Sequence, residues 1–228
     1  MALGHGTSIV RDGLVLHLDA ANKKSYPATG TVWTDLSGNV NLGTLTNGPT
    51  YSSTNSGSIA FDGVDDNVTF SKTWGDVKGS NWSGYITMEG FLKTPTSPTN
   101  SALGYFGFSS PSAYFKIMNT SYLFSDAYSS AAVRVITKLS ENTSYNGNWI
   151  HVCVVYDGTI KTYSNGSLLY TSTPFTLADI SALNFSIGAG MGYYNLQGDV
   201  SSVKLYNRAL TAAEVSQNFN ALRGRFGV

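Results

Sequence analysis

Eleven aspartates and three glutamates carry the acidic chemistry of this 228-residue chain, and they gather in one place only. In Asp62-Gly63-Val64-Asp65-Asp66-Asn67 three carboxylates fall on one turn-forming segment. Hard oxygen ligands bunched on a turn suit calcium, which accepts irregular oxygen coordination. The same residues have a plainer use, because Asp-Gly and Asp-Asp-Asn build turns through side-chain bonds to the backbone and tolerance of left-handed conformations. The residues weigh toward the turn, with calcium held by Asp62, Asp65 and Asp66 as the competing expectation. A second constellation is Tyr193-Tyr194-Asn195 in the glycine-rich loop from Gly188 to Gly198, where flat rings and an amide suit stacking on and hydrogen bonding a glycan. Neighbouring residues of a strand point opposite ways, so one of the two rings at most is expected to face a ligand.

Catalytic chemistry finds less support. Cleaving a glycosidic bond takes two carboxylates about 5 to 9.5 Å apart, whereas Glu89, Glu141 and Glu214 are scattered. Glu214 belongs to a helix cap and Glu141 to a loop. Glu89, on a strand, is the one glutamate placed to face a groove, and no acidic residue lies two positions away. No Gly-x-Ser-x-Gly elbow precedes a helix. Cys153 is the only cysteine, which excludes an intramolecular disulfide. Within Val152-Cys153-Val154-Val155 it reads as a small buried hydrophobe. His17 falls on the strand face opposite Leu14, Leu16 and Leu18 and reads as a packed or solvated sheet residue. The expectation is a chain without catalysis.

The elements that must position these residues are mostly strands. Charged residues make up 12% of the chain while Gly reaches 24 copies, a balance that favours short strands joined by turns. The formal net charge is zero, and no basic face exists to displace counterions from nucleic acid. No apolar run approaches the roughly 18 residues of a membrane span, and the N-terminus lacks the basic and apolar regions of a signal peptide. Residues 1–11 read as a polar arm, and residues 12–228 as one domain. Strands are expected at Leu14–Asp19, Ser58–Phe61, Val68–Phe70, Ile86–Leu92, several times between Leu103 and Tyr128, and at Asn184–Ala189 and Val200–Tyr206. Ala20 to Thr54 reads mostly as turns. Asn148–Tyr156 is the longest apolar run and predicts a central strand buried on both faces. Asn165-Gly166 predicts a tight hairpin turn with positive φ at both residues.

One helix stands out. Thr211-Ala212-Ala213-Glu214 is a capping box, Leu210 and Val215 form a hydrophobic staple, and Ala212, Val215, Phe219 and Leu222 make an apolar stripe. Gly224 is placed to end it.

Taken in order, Gly13–Asn22, Trp33–Asn39, Phe61–Asp66, Trp149–Val152, Tyr163–Gly166, Gly198–Val200 and Leu205–Val215 resemble the laminin G-like branch of the concanavalin A-like lectin/glucanase superfamily. The resemblance implies an all-β jelly-roll sandwich of two antiparallel sheets with one short C-terminal helix. Laminarinase-type members carry Glu-x-Asp-x-Glu on one strand, a motif this chain lacks. Relatives that bind calcium often follow a Gly-Asp-Ile position with an acidic pair, where this chain has Ser201-Ser202. The wording of Leu18-Asp19-Ala20-Ala21-Asn22 and of Phe61–Asp66 resembles virion proteins of tailed bacteriophages. That implies a non-catalytic virion surface protein, a capsid decoration or fibre-type component with a capacity for glycan binding. Its partners would be other virion structural proteins, further copies of itself and surface glycans. The alternatives are a carbohydrate-binding module or adhesin unrelated to a virion and, more remotely, a glycoside hydrolase.

Overall fold

The computed structural model describes residues 8–80, 82–96, 103–119, 123–138, 147–188 and 195–228. In chain order the first strands are β1 (Leu14–Asp19), β2 (Val32–Trp33), β3 (Gly43–Thr46), β4 (Thr50–Ser52), β5 (Ser58–Asp62) and β6 (Asn67–Thr73). A single helical turn, α1 (Trp74–Val77), precedes β7 (Ile86–Lys93), β8 (Leu103–Ser109), β9 (Tyr114–Asn119), β10 (Leu123–Tyr128) and β11 (Arg134–Lys138). Then come β12 (Trp149–Tyr156), β13 (Ile160–Ser164), β14 (Ser167–Thr171), β15 (Asn184–Ile187) and β16 (Gln197–Tyr206), followed by helix α2 (Ala212–Leu222).

Every strand pairing in both sheets is antiparallel. Sheet I runs β14-β13-β12-β7-β16-β5-β4 with β1 also on β16, and sheet II runs β11-β10-β9-β8-β15-β6-β3-β2. Alternation decides what lies between them. Met88, Ile150, Val152, Val154 and Val203 of sheet I meet Val68, Phe70, Phe106, Phe115 and Phe185 of sheet II in one core. Among the described residues no helix is long and apolar enough to cross a membrane.

All eight residues of β12 are buried, and the cause is a third layer. Its even-numbered residues enter the core between the sheets. Cys153 and Val155 face outward into a cluster with Val215 and Leu210, and Trp149 joins Phe91, Phe219 and Phe226. Helix α2 therefore closes the outer face of sheet I. Its start is as the sequence predicts: the Thr211 hydroxyl accepts the Glu214 N–H, and the Glu214 carboxylate accepts the Thr211 N–H at 2.8 Å. The β13–β14 turn has φ +47° at Asn165 and +76° at Gly166, and a Cβ on Gly166 would stand 2.8 Å from the Phe219 ring. Glycine is needed there twice over, for its backbone conformation and for the approach of the helix.

Several expectations are corrected. A bulge in the β1–β16 pairing between Leu14 and Leu16 reverses the alternation, so Leu14 joins the outer cluster while Leu16 and Leu18 enter the core. Ala20 to Thr54 holds β2, β3 and β4, too short to show a period in sequence, and plants Trp33 and Leu45 in the core. Residues 8–11, read as part of an arm, pack onto α2: Val10 is buried, and its N–H donates to Asn218 Oδ1 at 2.7 Å. Gly224 does not stop the helix with a left-handed residue; Arg223 caps it and a 3₁₀ turn continues to Arg225.

Candidate functional site

Strand ends decide which side chains meet. At one end of sheet I lie Asp62 of β5, Gln197 of β16, Lys93 of β7, Trp149 of β12 and the Asn165 turn, in neighbouring positions across the sheet. The acidic segment is the link from β5 to β6 at this end. Asp62, Asp65 and Asp66 each bring a carboxylate oxygen to within 4.8 Å of the others. The bonding shows the turn role. Asp62 Oδ1 accepts the Val64 N–H at 2.7 Å and Asp66 Oδ2 accepts the Asp62 N–H at 2.9 Å, which is the turn chemistry. Each of those carboxylates has a second oxygen outside these bonds. Asp62 and Asp65 are exposed and Asp66 is buried. Burial first, and then the charges of Asp62 and Asp65, raise the Asp66 carboxyl above its ordinary range. Three close oxygens of this type, one of them hard to ionise without a counter-charge, fit a calcium ion. The residues present would hold it through Asp62, Asp65 and Asp66.

The glycine-rich loop comes to the same turn. Asn195 Nδ2 donates to Val64 O. Gly188 has φ +82°, and a Cβ there would sit 2.7 Å from Asp66 O. Two constellations far apart in sequence, the acidic turn and Asn195, are therefore neighbours. Tyr193 and Tyr194 lie outside the described residues.

Two clefts lie at this end of sheet I, the first of them reaching Phe61 and Gln197 at the base of the turn. One of about 290 Å³ is lined by Ala60, Lys93, Thr94, Gln197, Gly198 and Asp199. The other, of about 430 Å³, is lined by Asn55, Lys93, Asn148, Trp149, Asn165 and Phe226, among others. Lys93 and Gly147 belong to both, so the clefts abut. The walls are fixed. Trp149 Nε1 donates to Asn55 Oδ1 at 2.9 Å, Asn55 Nδ2 donates to Arg225 O at 3.0 Å, and the Trp149 and Phe226 rings lie 4.8 Å apart. Sequence reasoning missed this groove. Its residues come from seven separate segments, and only strand register brings Lys93 opposite Trp149 and Asp199.

Glu89 does not face a groove. Its side chain is fully buried beneath α2, with Lys204 Nζ at 2.9 Å and Asn218 Nδ2 at 3.1 Å. His151 Nε2 stands 3.6 Å away. Burial opposes ionisation, but the Lys204 ammonium and the neighbouring His151 outweigh it and hold the Glu89 carboxyl well below the usual range. Asn218 also bonds Tyr206, whose hydroxyl donates to Val10 O at 3.0 Å. Ser201, at the position where an acidic pair was noted as absent, donates to Gly57 O and accepts from Arg225, which pairs with Asp19 at 3.0 Å. Cys153 is free and buried, and burial lifts its thiol well above the ordinary range.

Comparison with known proteins agrees with this architecture. The model of the concanavalin A-like lectin/glucanases superfamily, of laminin G type, matches residues 62–216, and the chain belongs to that family. Compared by sequence with curated proteins, the chain matches none. Among solved structures it is similar to domain 4 of AbnA, a GH43 extracellular arabinanase from Geobacillus stearothermophilus, in complex with arabinotriose. The TM-score is 0.69 at 18% identity, over 90% of this chain and 97% of that one. The binding domain of botulinum neurotoxin DC, in complex with rat synaptotagmin II, matches with TM-score 0.73 at 12% identity over 93% of this chain. A sialidase of Trypanosoma rangeli, in complex with the inhibitor DANA, gives 0.64 at 20% over 96%. This chain spans about half of the toxin domains, 52% for the one named, and 34% of the sialidase. At these identities the likeness is one of fold, shared by binding domains and hydrolases alike.

Proposed function

We propose that this chain is a non-catalytic carbohydrate-binding module whose ligand lies in the paired clefts beside the acidic turn. The observation that carries the reading is the groove itself. It has a rigid Trp149–Phe226 wall, amides from Asn55, Asn148 and Asn165, and open glycine backbone between, at the loop end of a rigid sandwich. Glu89, the glutamate on a strand of this sheet, is occupied by Lys204 beneath the helix and out of reach of a substrate. The arabinotriose complex of a domain with the same fold supports the ligand class. Calcium at Asp62, Asp65 and Asp66 would stiffen the adjoining loop. The setting proposed is the surface of a bacteriophage particle, supported by the wording of Leu18–Asn22 and Phe61–Asp66.

Affinity electrophoresis against a panel of neutral and acidic polysaccharides tests the binding reading. Retardation is expected without release of reducing sugar, and it should be lost in Trp149→Ala once folding is verified by near-ultraviolet circular dichroism. Failure to bind any member would end the reading, and mass spectrometry of purified particles lacking the protein would remove the virion setting.

A further inference from the structure

We infer that the C-terminal segment, α2 with the turn to Phe226, is an acid-released cover on sheet I whose release takes down the Trp149–Phe226 wall. The release stands on its own, while its effect on a bound sugar rests on the carbohydrate-binding reading.

The cover closes over histidines that lack partners. His151 on β12 is fully buried, and neither of its ring nitrogens has a hydrogen-bond partner among the described residues. Its Nε2 stands 3.6 Å from Glu89 Oε2, an oxygen that already accepts from Asn218 of α2. His17 has a buried Nε2 that is likewise unbonded. Register sets His17 of β1, Lys204 of β16 and Glu89 of β7 in one row across the sheet. Both histidines therefore flank the same buried ion pair.

The other groups around this layer supply no spare anion among the described residues. Asp19 is paired with Arg225 at 3.0 Å and Glu214 with Arg208 at 2.6 Å, while Arg11 is a further cation near His17. Burial pushes the Tyr206 and Tyr163 hydroxyls and the Cys153 thiol up, so they stay neutral. The charges of Glu89 and Lys204 cancel. A proton on either histidine then leaves positive charge unbalanced beneath apolar side chains, which is costly until water reaches it. His17 shows the pressure, since burial and then the Lys204 charge hold it down to about 3. The closed form refuses a proton that the open form accepts, so lowering the pH favours opening.

Topology decides what lifts. α2 follows β16 and belongs to neither sheet, so it can part from sheet I without breaking a ladder. Phe219 and Phe226 both stack on Phe91, with ring centres 6.3 and 4.4 Å away, and His151 lies against Phe91 and Phe219. Phe226 is also the ring beside Trp149. Arg225 O holds the Asn55 amide, which in turn holds the Trp149 indole. Losing the cover loosens the groove wall.

Hydrogen exchange of the full chain at pH 7.5 and 5.0, corrected for intrinsic rates, tests the release. Protection of residues 212–226 should fall at least tenfold at pH 5.0, while that of 115–117 in sheet II is kept. The Trp149 indole N–H should exchange faster in step with α2. Combining His17→Gln with His151→Gln should remove most of the pH effect. In the parent, the imidazole carbon shifts of both histidines should change over the interval in which α2 opens, a readout that needs no variant to fold. Intact α2 protection at pH 5.0, a loss shared with sheet II, or a loss that the double variant keeps overturns the inference. An indole that stays protected while α2 opens overturns the coupling to the groove. The polysaccharide panel repeated at pH 5.0 should show weaker retardation. Binding at neither pH ends the binding reading and leaves the release decided by exchange.

Discussion

Carboxylates occur in two settings, and the contrast separates one enclosed within the fold from three gathered on a turn at its loop end. Beneath α2, Glu89 is fully buried and met on both oxygens, by Lys204 and Asn218. At the loop end, Asp62, Asp65 and Asp66 crowd within 4.8 Å of one another with no cation beside them among the described residues. A buried ion pair that is complete contributes order but little net free energy, while breaking it leaves a charge stranded in low dielectric. An acidic cluster at the surface is the reverse: removing a charge costs the fold little and changes what the surface can hold. The same residue type is enclosed by partners in one place and gathered on a turn in the other.

The largest effect expected from this contrast is at Glu89. Glu89→Gln leaves Lys204 buried without its partner and should cost about 3 to 5 kcal/mol, read as a shift of the urea midpoint. Replacing Glu89 and Lys204 together by Gln and Met should recover much of that loss. A small effect from the single change would mean that α2 does not seal the pair.

Acid should come next. Burial, with the Lys204 charge second, pushes His17 from its ordinary value down to about 3. The unfolded chain then takes up a proton near pH 6.5 that the folded one refuses. Stability is thus complete above that pH and falls as pH drops toward 3. Two pH units of such linkage amount to roughly 3 kcal/mol, so unfolding should be measurably easier at pH 4.5 than at neutral pH. His17→Gln should flatten part of the slope. Glu89 and Glu214 act in the same direction, since both carboxyls are held low in the fold, Glu214 at about 2 through its bonds with Arg208.

A smaller loss is expected at the helix cap, where Thr211→Ala should cost about 1 kcal/mol by thermal denaturation. Least affected should be the fold of Asp65→Asn, within about 0.5 kcal/mol in chelator. That variant should nonetheless lose the rise in melting temperature that millimolar calcium gives the parent. Because the Asp66 carboxyl is raised, calcium binding should weaken on mild acidification. A parent protein indifferent to calcium would return the acidic segment to turn chemistry alone.

Much of the frame was legible in the residues because it rests on local chemistry. The Thr211–Glu214 cap, the Asn165-Gly166 turn and the doubly buried β12 each follow from a few adjacent side chains. Two kinds of feature were not legible. A bulge such as the one beside Leu14 leaves no mark in composition, yet it reverses which face a strand presents. The depth of a polar residue also depends on what packs over it. Glu89 on β7 and Val10 could not be seen as buried without knowing that α2 folds back across sheet I. At the loop end the acidic cluster was visible in sequence, whereas the Lys93 groove exists only through register.

The position of β16 has a consequence for how the molecule forms. This strand sits between β7 and β5 and also holds β1, so three early parts of sheet I are joined through a segment near the end of the chain. During synthesis those strands emerge and wait with their central neighbour missing, and pairs such as Leu18 with Val203 must close most of the chain into a loop. Contacts of such long sequence separation slow folding. The nascent chain spends that interval with β5 and β7 exposed along their hydrogen-bonding edges, the state in which strands of different copies find one another. Sheet I can therefore be completed only late, when β16 joins its two halves and α2 follows to cover it.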